Sequence, residues 1–281
     1  MSPIILVTGA TGQQGGATAR HLLARGLRVH ALVRTNSSAA ALDLHRRGAV
    51  LVEGNFDQPE QLQSACQNAT AVFLNVSPSF RGDGAELRQA TNVVRAARAS
   101  STVTTLVYTS VCAIDEREKF PGWYDGTISS IMKGYFESKA AIEDLVRYFP
   151  ELAESRTLRT AMAAEKKTML IDPDDIGRFA AAALTEPERF SHHIGGEALT
   201  AEQIASAISE VSGRVITVDH IPRDLAVRLA PSSPQIDSQL WFWERQDRFG
   251  PQELETEFGI KLTKFKEFLT ANKELVRQTF G

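Results

Sequence analysis

Two residues four apart raise the first chemical question. In the stretch GYFESKAAIEDLV, Gly134 to Val146, the apolar spacing is helical, so Tyr135 and Lys139 share one helix face. An ammonium beside a phenol favours the phenolate. A tyrosine tuned in this way gives or takes a proton at a carbonyl or alcohol near neutral pH. Upstream, VYTSV brings Thr109 and Ser110 to the end of a β-rich run, where a hydroxyl can hydrogen-bond the same oxygen. Spacing alone also fits an amphipathic helix with Tyr135 half buried and Lys139 in water. The pair gains weight only from the elements around it.

A second constellation lies in ILVTGATGQQGG, Ile5 to Gly16. Four glycines follow an apolar run within eight residues, spaced G-x-x-G-x-x-G at Gly9, Gly12 and Gly15. Glycine permits positive φ and lets backbone N–H groups approach a pyrophosphate closely. The helix start near Gly12 adds a favourable dipole. Thr11, Gln13 and Gln14 lie in the same turn and join the glycines as candidate cofactor contacts. An NAD site places an acid roughly 20 residues further on, at the end of the second strand. Here no acidic residue precedes Asp43, and Arg34 stands at the second strand's end, followed by TNSS. A guanidinium can grip a 2′-phosphate with two parallel hydrogen bonds, and Thr35, Ser37 and Ser38 can add hydroxyls. This favours NADP, unless Arg34 is only a solvated strand-end cation. GNFD (Gly54 to Asp57) offers Asn55, Phe56 and Asp57 to an adenine edge. LNVSP offers Asn75 near the ribose and nicotinamide. Each of these two turns reads equally well as a helix cap.

These residues need a scaffold. PIILVTG, RVHALVR, AVLVEGN, AVFLNVS and TTLVYTSV are short apolar runs, alternating with helical segments. That alternation predicts an α/β fold, a Rossmann-type doubly wound parallel sheet with ligands outside the carboxyl ends of its strands. The core spans residues 1–150. Residues 151–281 read as a smaller, mostly helical substrate region packed over the active edge. There DPDDIGRFAAAALTEPE and LTAEQIASAISEVSG are helices, the second with a Thr200/Gln203 capping box. RVITVDHIP reads as a late strand, and the C-terminal third as mostly helical, ending in KLTKFKEFLTANKELVRQTF.

Bulk properties limit the rest. The chain has 281 residues, 43% hydrophobic and 23% charged, with a net charge of −3, so no basic excess points to nucleic acid. Two cysteines, Cys66 and Cys112, suit a reducing compartment. No signal peptide or span of roughly 20 apolar residues is evident, so a cytoplasmic protein without membrane contact is expected. No metal site is expected: His192 and His193 read as a surface turn, and the acids of DPDD as a helix start. Cys112 reads as a small buried residue. QLWFWE, Gln239 to Glu244, reads as partly exposed core.

VTGATGQQGG, ALVR, VYTSV, YFESKAAIED, DIGRFAAAAL and LTAEQIASAISEVSGR together resemble the NmrA-like branch of the atypical short-chain dehydrogenase/reductases. The resemblance implies NADP binding and a variable substrate pocket. It implies Lys139 orienting the nicotinamide ribose, Tyr135 as proton donor and Ser110 as the polarising hydroxyl. One kind of member is a reductase, many in fungal secondary metabolism; on that pattern this chain is expected to reduce a small carbonyl, imine or conjugated alkene, and a monomer or homodimer is expected. The other kind senses NADP without turnover and binds a protein such as a transcription factor. The Leu-Arg-Pro turn usual after the Tyr/Lys helix is missing; RTLRT, Arg156 to Thr160, stands nearest to it.

Overall fold

Four consecutive apolar residues, Ile4–Val7, form β1, and all four are buried. A strand buried on both faces belongs in the middle of a covered parallel sheet. In a computed structural model, which describes residues 3–111, 114–120, 122–146, 166–185, 194–213, 215–218, 220–230, 236, 239–240 and 251–280, β1 is indeed central. It pairs in parallel with β2 (Arg28–Val33) on one side and β4 (Ala71–Leu74) on the other. β3 (Val50–Glu53) and β5 (Thr105–Tyr108) complete the order β3-β2-β1-β4-β5. The chain therefore reverses its direction of travel between β1 and β4. At such a switch point the loops leave in opposite directions and open a crevice at the carboxyl ends.

The crossovers are helices, as parallel pairing requires. They are α1 (Gln13–Ala24), α2 (Ala39–Arg46), α3 (Pro59–Cys66) and α4 (Ala85–Ala99). α5 (Ser130–Val146) follows β5, and α6 (Pro173–Thr185) comes later. Ser38 caps α2 through its hydroxyl, which accepts from the Ala41 N–H, and Pro59 opens α3 where its missing N–H costs nothing. Leu6, Val72, Leu74, Leu106 and Tyr108 meet the apolar stripes of α3, α4 and α5 in one core, with Leu62, Val93 and Ile142 at its centre. Gly177 of α6 lets that helix lie close on α1: a Cβ there would come within 2.6 Å of Ala17.

The chain forms two compact units. One comprises Met1–Asp115, Gly134–Ser155 and Ile176–His193 and carries the sheet; the other comprises Glu116–Lys133, Arg156–Asp175 and Ile194–Gly281. In the second, β6 (Thr168–Leu170) pairs antiparallel with β7 (Glu197–Leu199). α7 (Ala201–Ser212) follows, and its expected Thr200/Gln203 capping box is present. α8 (Arg223–Leu229), α9 (Pro251–Phe258), α10 (Phe265–Ala271) and α11 (Lys273–Phe280) come after it. Ala207 and Val211 of α7 bury against Leu269 of α10 and Val276 of α11. The acids of DPDD have structural partners. Asp172 accepts from the Asp174 N–H at the start of α6. Asp175 is fully buried and takes both the backbone N–H of Thr263 (2.7 Å) and its hydroxyl (3.0 Å).

The late strand expected in RVITVDHIP is not formed: Val215–Val218 pairs with no strand among the described residues. The run is tied to α7 instead, with the Ile216 N–H donating to the Ser209 hydroxyl at 2.8 Å, and Val215 is 88% exposed. β-branched residues favour a strand only where a ladder and a buried face receive them. Cys112, RTLRT, His192, His193 and Trp241 to Glu244 lie outside the described residues. No helix of the described residues is long and apolar enough to cross a membrane.

Candidate active site

The glycine turn is built by close approach. Gly9 has φ +60°, and its carbonyl accepts the Gly12 N–H at 2.8 Å. A Cβ on Gly15 would collide with that same Gly9 carbonyl, and one on Gly12 would come within 3.2 Å of it. Side chains at these positions would push the helix away from the strand. Gly12 is the N-cap of α1 and brings no side chain, and the first turn holds no acid. The N–H groups of that turn face this edge, with the positive end of the helix dipole behind them. Thr11, Gly12 and Gln13 are exposed on this edge and Gln14 is half buried.

The end of β4 is latched to the turn. The Asn75 N–H donates to the Thr8 hydroxyl at 2.8 Å, and its side-chain amide reaches Gln14 Oε1 at 3.5 Å. The Asn75 carbonyl would lie 3.1 Å from a Cβ at Gly9. Asn75 and the glycines therefore form one floor across the switch point. Thr8, buried and central to this latch, was not singled out in the sequence.

Arg34 is exposed immediately after β2, and Thr35 and Ser37 share a hydroxyl hydrogen bond of 3.0 Å beside it. Asp43, the first acid, is committed elsewhere: Arg47 and then Arg46 of its own helix hold its carboxyl below the usual range. The end of β3 is largely self-contained. Asn55 takes the Asp57 N–H on its side chain and gives its own N–H to Gln61. The Asp57 carboxylate is held below its ordinary range by Arg88 first and by Gln89 second. Phe56 is half buried against the core, and its carbonyl accepts from Asn92.

The third cluster lies beside the end of β5. Lys139 and Tyr135 do meet: the ammonium is 5.9 Å from the centre of the Tyr135 ring and 5.4 Å from that of Tyr108. Tyr135 is half buried, but Lys139 is buried, not solvated. Its Nζ sits 2.8 Å from Oε1 of Glu86, whose other oxygen accepts the Ser138 hydroxyl at 2.9 Å. The side chains of this ion pair are only 6% and 3% exposed. Thr109 Oγ1 is buried without a hydrogen-bond partner, and the buried Ser110 hydroxyl lies against the Tyr108 phenol. Burial pushes the Tyr108 phenol well above its ordinary range, and the charge of Glu86 adds to this. A buried hydroxyl left open is costly, and Thr109 and Ser110 lie at the strand end where a ligand oxygen is expected.

Glu86 escaped the sequence reading because an acid in the first turn of a helix is ordinarily a dipole effect. The signal was its phase. Glu86 falls on the stripe of Ala90, Val93, Val94 and Ala97, all of them buried. Phe80, in the loop before α4, was also missed; its ring is 5.7 Å from that of Tyr135 and half exposed. Asp83 shapes this loop by accepting from Ser79 and from the Ala85 N–H. A cavity of about 430 Å³ lies at the opposite edge, where Pro3, Thr70 and Thr104 precede their strands, and so does not belong to this site.

The family model described as NmrA-like matches residues 1–157. An NmrA-like family domain-containing oxidoreductase from an Aspergillus species, notA, is 28% identical over 226 residues, covering 68% of this chain and 66% of that protein. The match thus spans slightly less than two thirds of the relative's length. Among solved structures, the Citrobacter triphenylmethane reductase complexed with NADP(H) has a TM-score of 0.68 at 21% identity, over 96% of this chain and 99% of that one. NmrA, a negative transcriptional regulator in complex with NADP, has a TM-score of 0.73 at 16% identity, over 100% and 98%. These two likenesses are of fold.

Proposed function

The chain belongs to the NmrA-like family, and from that premise we propose that it is an NADP-dependent oxidoreductase acting on a small organic carbonyl, imine or conjugated alkene. The observation that carries this reading is the juxtaposition of Tyr135 and Lys139 at the end of β5, which the buried Ser110 follows. The glycine turn supports the cofactor, because its cradle fills if any of its close glycines gains a Cβ. Gly9, Thr11, Gly12, Gln13, Gln14 and Gly15 would hold the pyrophosphate at the α1 N-terminus. Arg34 would take the 2′-phosphate, and no acid competes for that position. Asn55, Phe56 and Asp57 would flank the adenine, and Asn75 with Lys139 the nicotinamide ribose.

When bound, NADP(H) supplies or accepts a hydride. The protein's part is proton transfer and orientation. In the reductive direction on a carbonyl, the Tyr135 phenol gives its proton to the oxygen as the carbon gains hydride, yielding an alcohol. Ser110 donates a hydrogen bond to that oxygen and offsets its developing charge. The fungal source of the relative fits a step in secondary-metabolite biosynthesis. A cytoplasmic monomer or homodimer completes the reading.

The test is NADPH consumption with a panel of carbonyl, imine and enone substrates, alongside titration with both dinucleotides. Expected results are NADPH preferred over NADH, preference lost in Arg34→Ala, and turnover lost in Tyr135→Phe with NADPH affinity kept. Equal affinity for both dinucleotides, unchanged by Arg34→Ala, would overturn the cofactor assignment. Likeness of fold to a transcriptional regulator favours a second reading, an NADP-sensing protein with a protein partner. NADPH binding without turnover on any substrate would select it.

A further inference from the structure

We propose that Glu86 is a positioning residue of this site, the fixed counter-ion of Lys139, so that the pair presents almost no net charge to Tyr135. The inference rests on Tyr135 and Lys139 forming the site described above. Lysine has three N–H donors and no acceptor. The ammonium lies 2.8 Å from Glu86 Oε1, an ion pair that anchors it from the α4 side and leaves its donors for other partners. Ser138, the residue before Lys139, donates to the second oxygen of the same carboxylate. The carboxylate thus pairs ionically with Lys139 through Oε1 and accepts the Ser138 hydroxyl at Oε2, two consecutive residues of α5. The carboxylate thereby fixes the ammonium between the rings of Tyr108 and Tyr135.

A lone ammonium at this distance would draw Tyr135 strongly toward its phenolate. Paired with a carboxylate in contact, it acts as a small dipole whose field at the phenol largely cancels. A phenol that keeps its proton is suited to giving one away, which matches the reductive direction. Among the described residues, the other titratable groups here are Tyr108 from β5 and Glu143, buried on α5, whose charge acts on Tyr108.

The experiment needs neither cofactor nor substrate. Tyrosine ionisation is followed by absorbance near 295 nm, and Tyr135 is isolated by subtracting the matching Tyr135→Phe protein. The chain has only four tyrosines, and burial holds Tyr108 well above the ordinary range, so Tyr135 dominates the difference. Glu86→Gln unbalances Lys139 and is expected to shift the Tyr135 midpoint down by about one pH unit. Glu86→Asp keeps the charge and is expected to stay near wild type. No shift in Glu86→Gln overturns the proposal.

Should Glu86→Gln not fold, the double variant Glu86→Gln/Lys139→Met carries the test, since it buries no charge at all. Replacing a neutral pair with a neutral pair is expected to leave Tyr135 within about half a pH unit of wild type. A rise of one unit or more shows that Lys139 acts unscreened, and the proposal falls. Failure of this inference and failure of the proposed function are distinguishable. Turnover lost in Tyr135→Phe with an unmoved titration defeats only the counter-ion role; a moved titration without turnover on any substrate defeats only the enzyme.

Discussion

Helix α4 carries two ion pairs of nearly equal length and opposite circumstance. Glu86 meets Lys139 at 2.8 Å with side chains 3% and 6% exposed. Two residues on, Arg88 meets Asp57 at 2.9 Å with side chains 52% and 40% exposed. Distance does not separate them; water does. The outer pair is solvated whether or not it forms, so it contributes little. The inner pair has left water on both sides, so each partner depends on the other to be tolerated. The comparison shows that a contact's role follows from what replaces it when it is broken. Around Arg88 that replacement is solvent, and around Lys139 it is an uncompensated charge in the protein interior.

The largest expected effect comes from breaking the inner pair on one side. Lys139→Ala strands Glu86 and is expected to cost about 3–5 kcal/mol, read as a lower urea midpoint. Adding Glu86→Gln is expected to recover most of that loss, to within about 1 kcal/mol of wild type, because no buried charge remains. NADPH affinity is expected to stay low in the double variant. Stability and cofactor binding would then part company, which marks the ammonium as a functional group placed at some structural cost.

A smaller effect sharpens the contrast with a buried group that has no partner. Cys66, at the end of α3 in the same core, is fully buried, and burial alone pushes its thiol up to about 11 from near 9. The unfolded chain loses this proton first as pH rises, so stability falls between pH 9 and 11 and is unaffected below. Cys66→Ala is expected to flatten that alkaline decline by at most about 2 kcal/mol, measured by denaturation across the range. Native Cys66 is correspondingly expected to resist alkylation at pH 8.

What was legible follows the same division. Elements that repeat a pattern over several residues were readable: all five parallel strands, the crossover helices, the glycine turn and the Thr200/Gln203 cap. The i, i+4 geometry of Tyr135 and Lys139 is local and was readable too. Their environment was not local. Lys139 is buried because α4 and β5 cover it, and neither leaves a mark in the sequence around Lys139. Glu86 left a faint one, an acid on an apolar stripe. RVITVDHIP failed for the converse reason: its residue types suit a strand, yet among the described residues no strand pairs with it, and Ser209 takes its backbone instead.

The smallest effect is expected at the outer pair, and it tests the comparison most directly. Arg88 and Gln89 hold the Asp57 carboxyl below its ordinary range, so whatever the contact contributes is present above about pH 4 and lost as pH falls through the depressed value. Because both partners are exposed, Asp57→Asn is expected to move the urea midpoint at pH 7 by no more than its measurement error. Any residual effect should vanish in 0.5 M salt, where the Debye length is only a few ångström. The Glu86 and Lys139 variants, by contrast, should keep their full losses in that salt, since mobile ions do not reach a pair closed off by α4 and α5. A salt-resistant loss in Asp57→Asn would mean that the end of β3 is an anchor of the fold on a par with the inner pair.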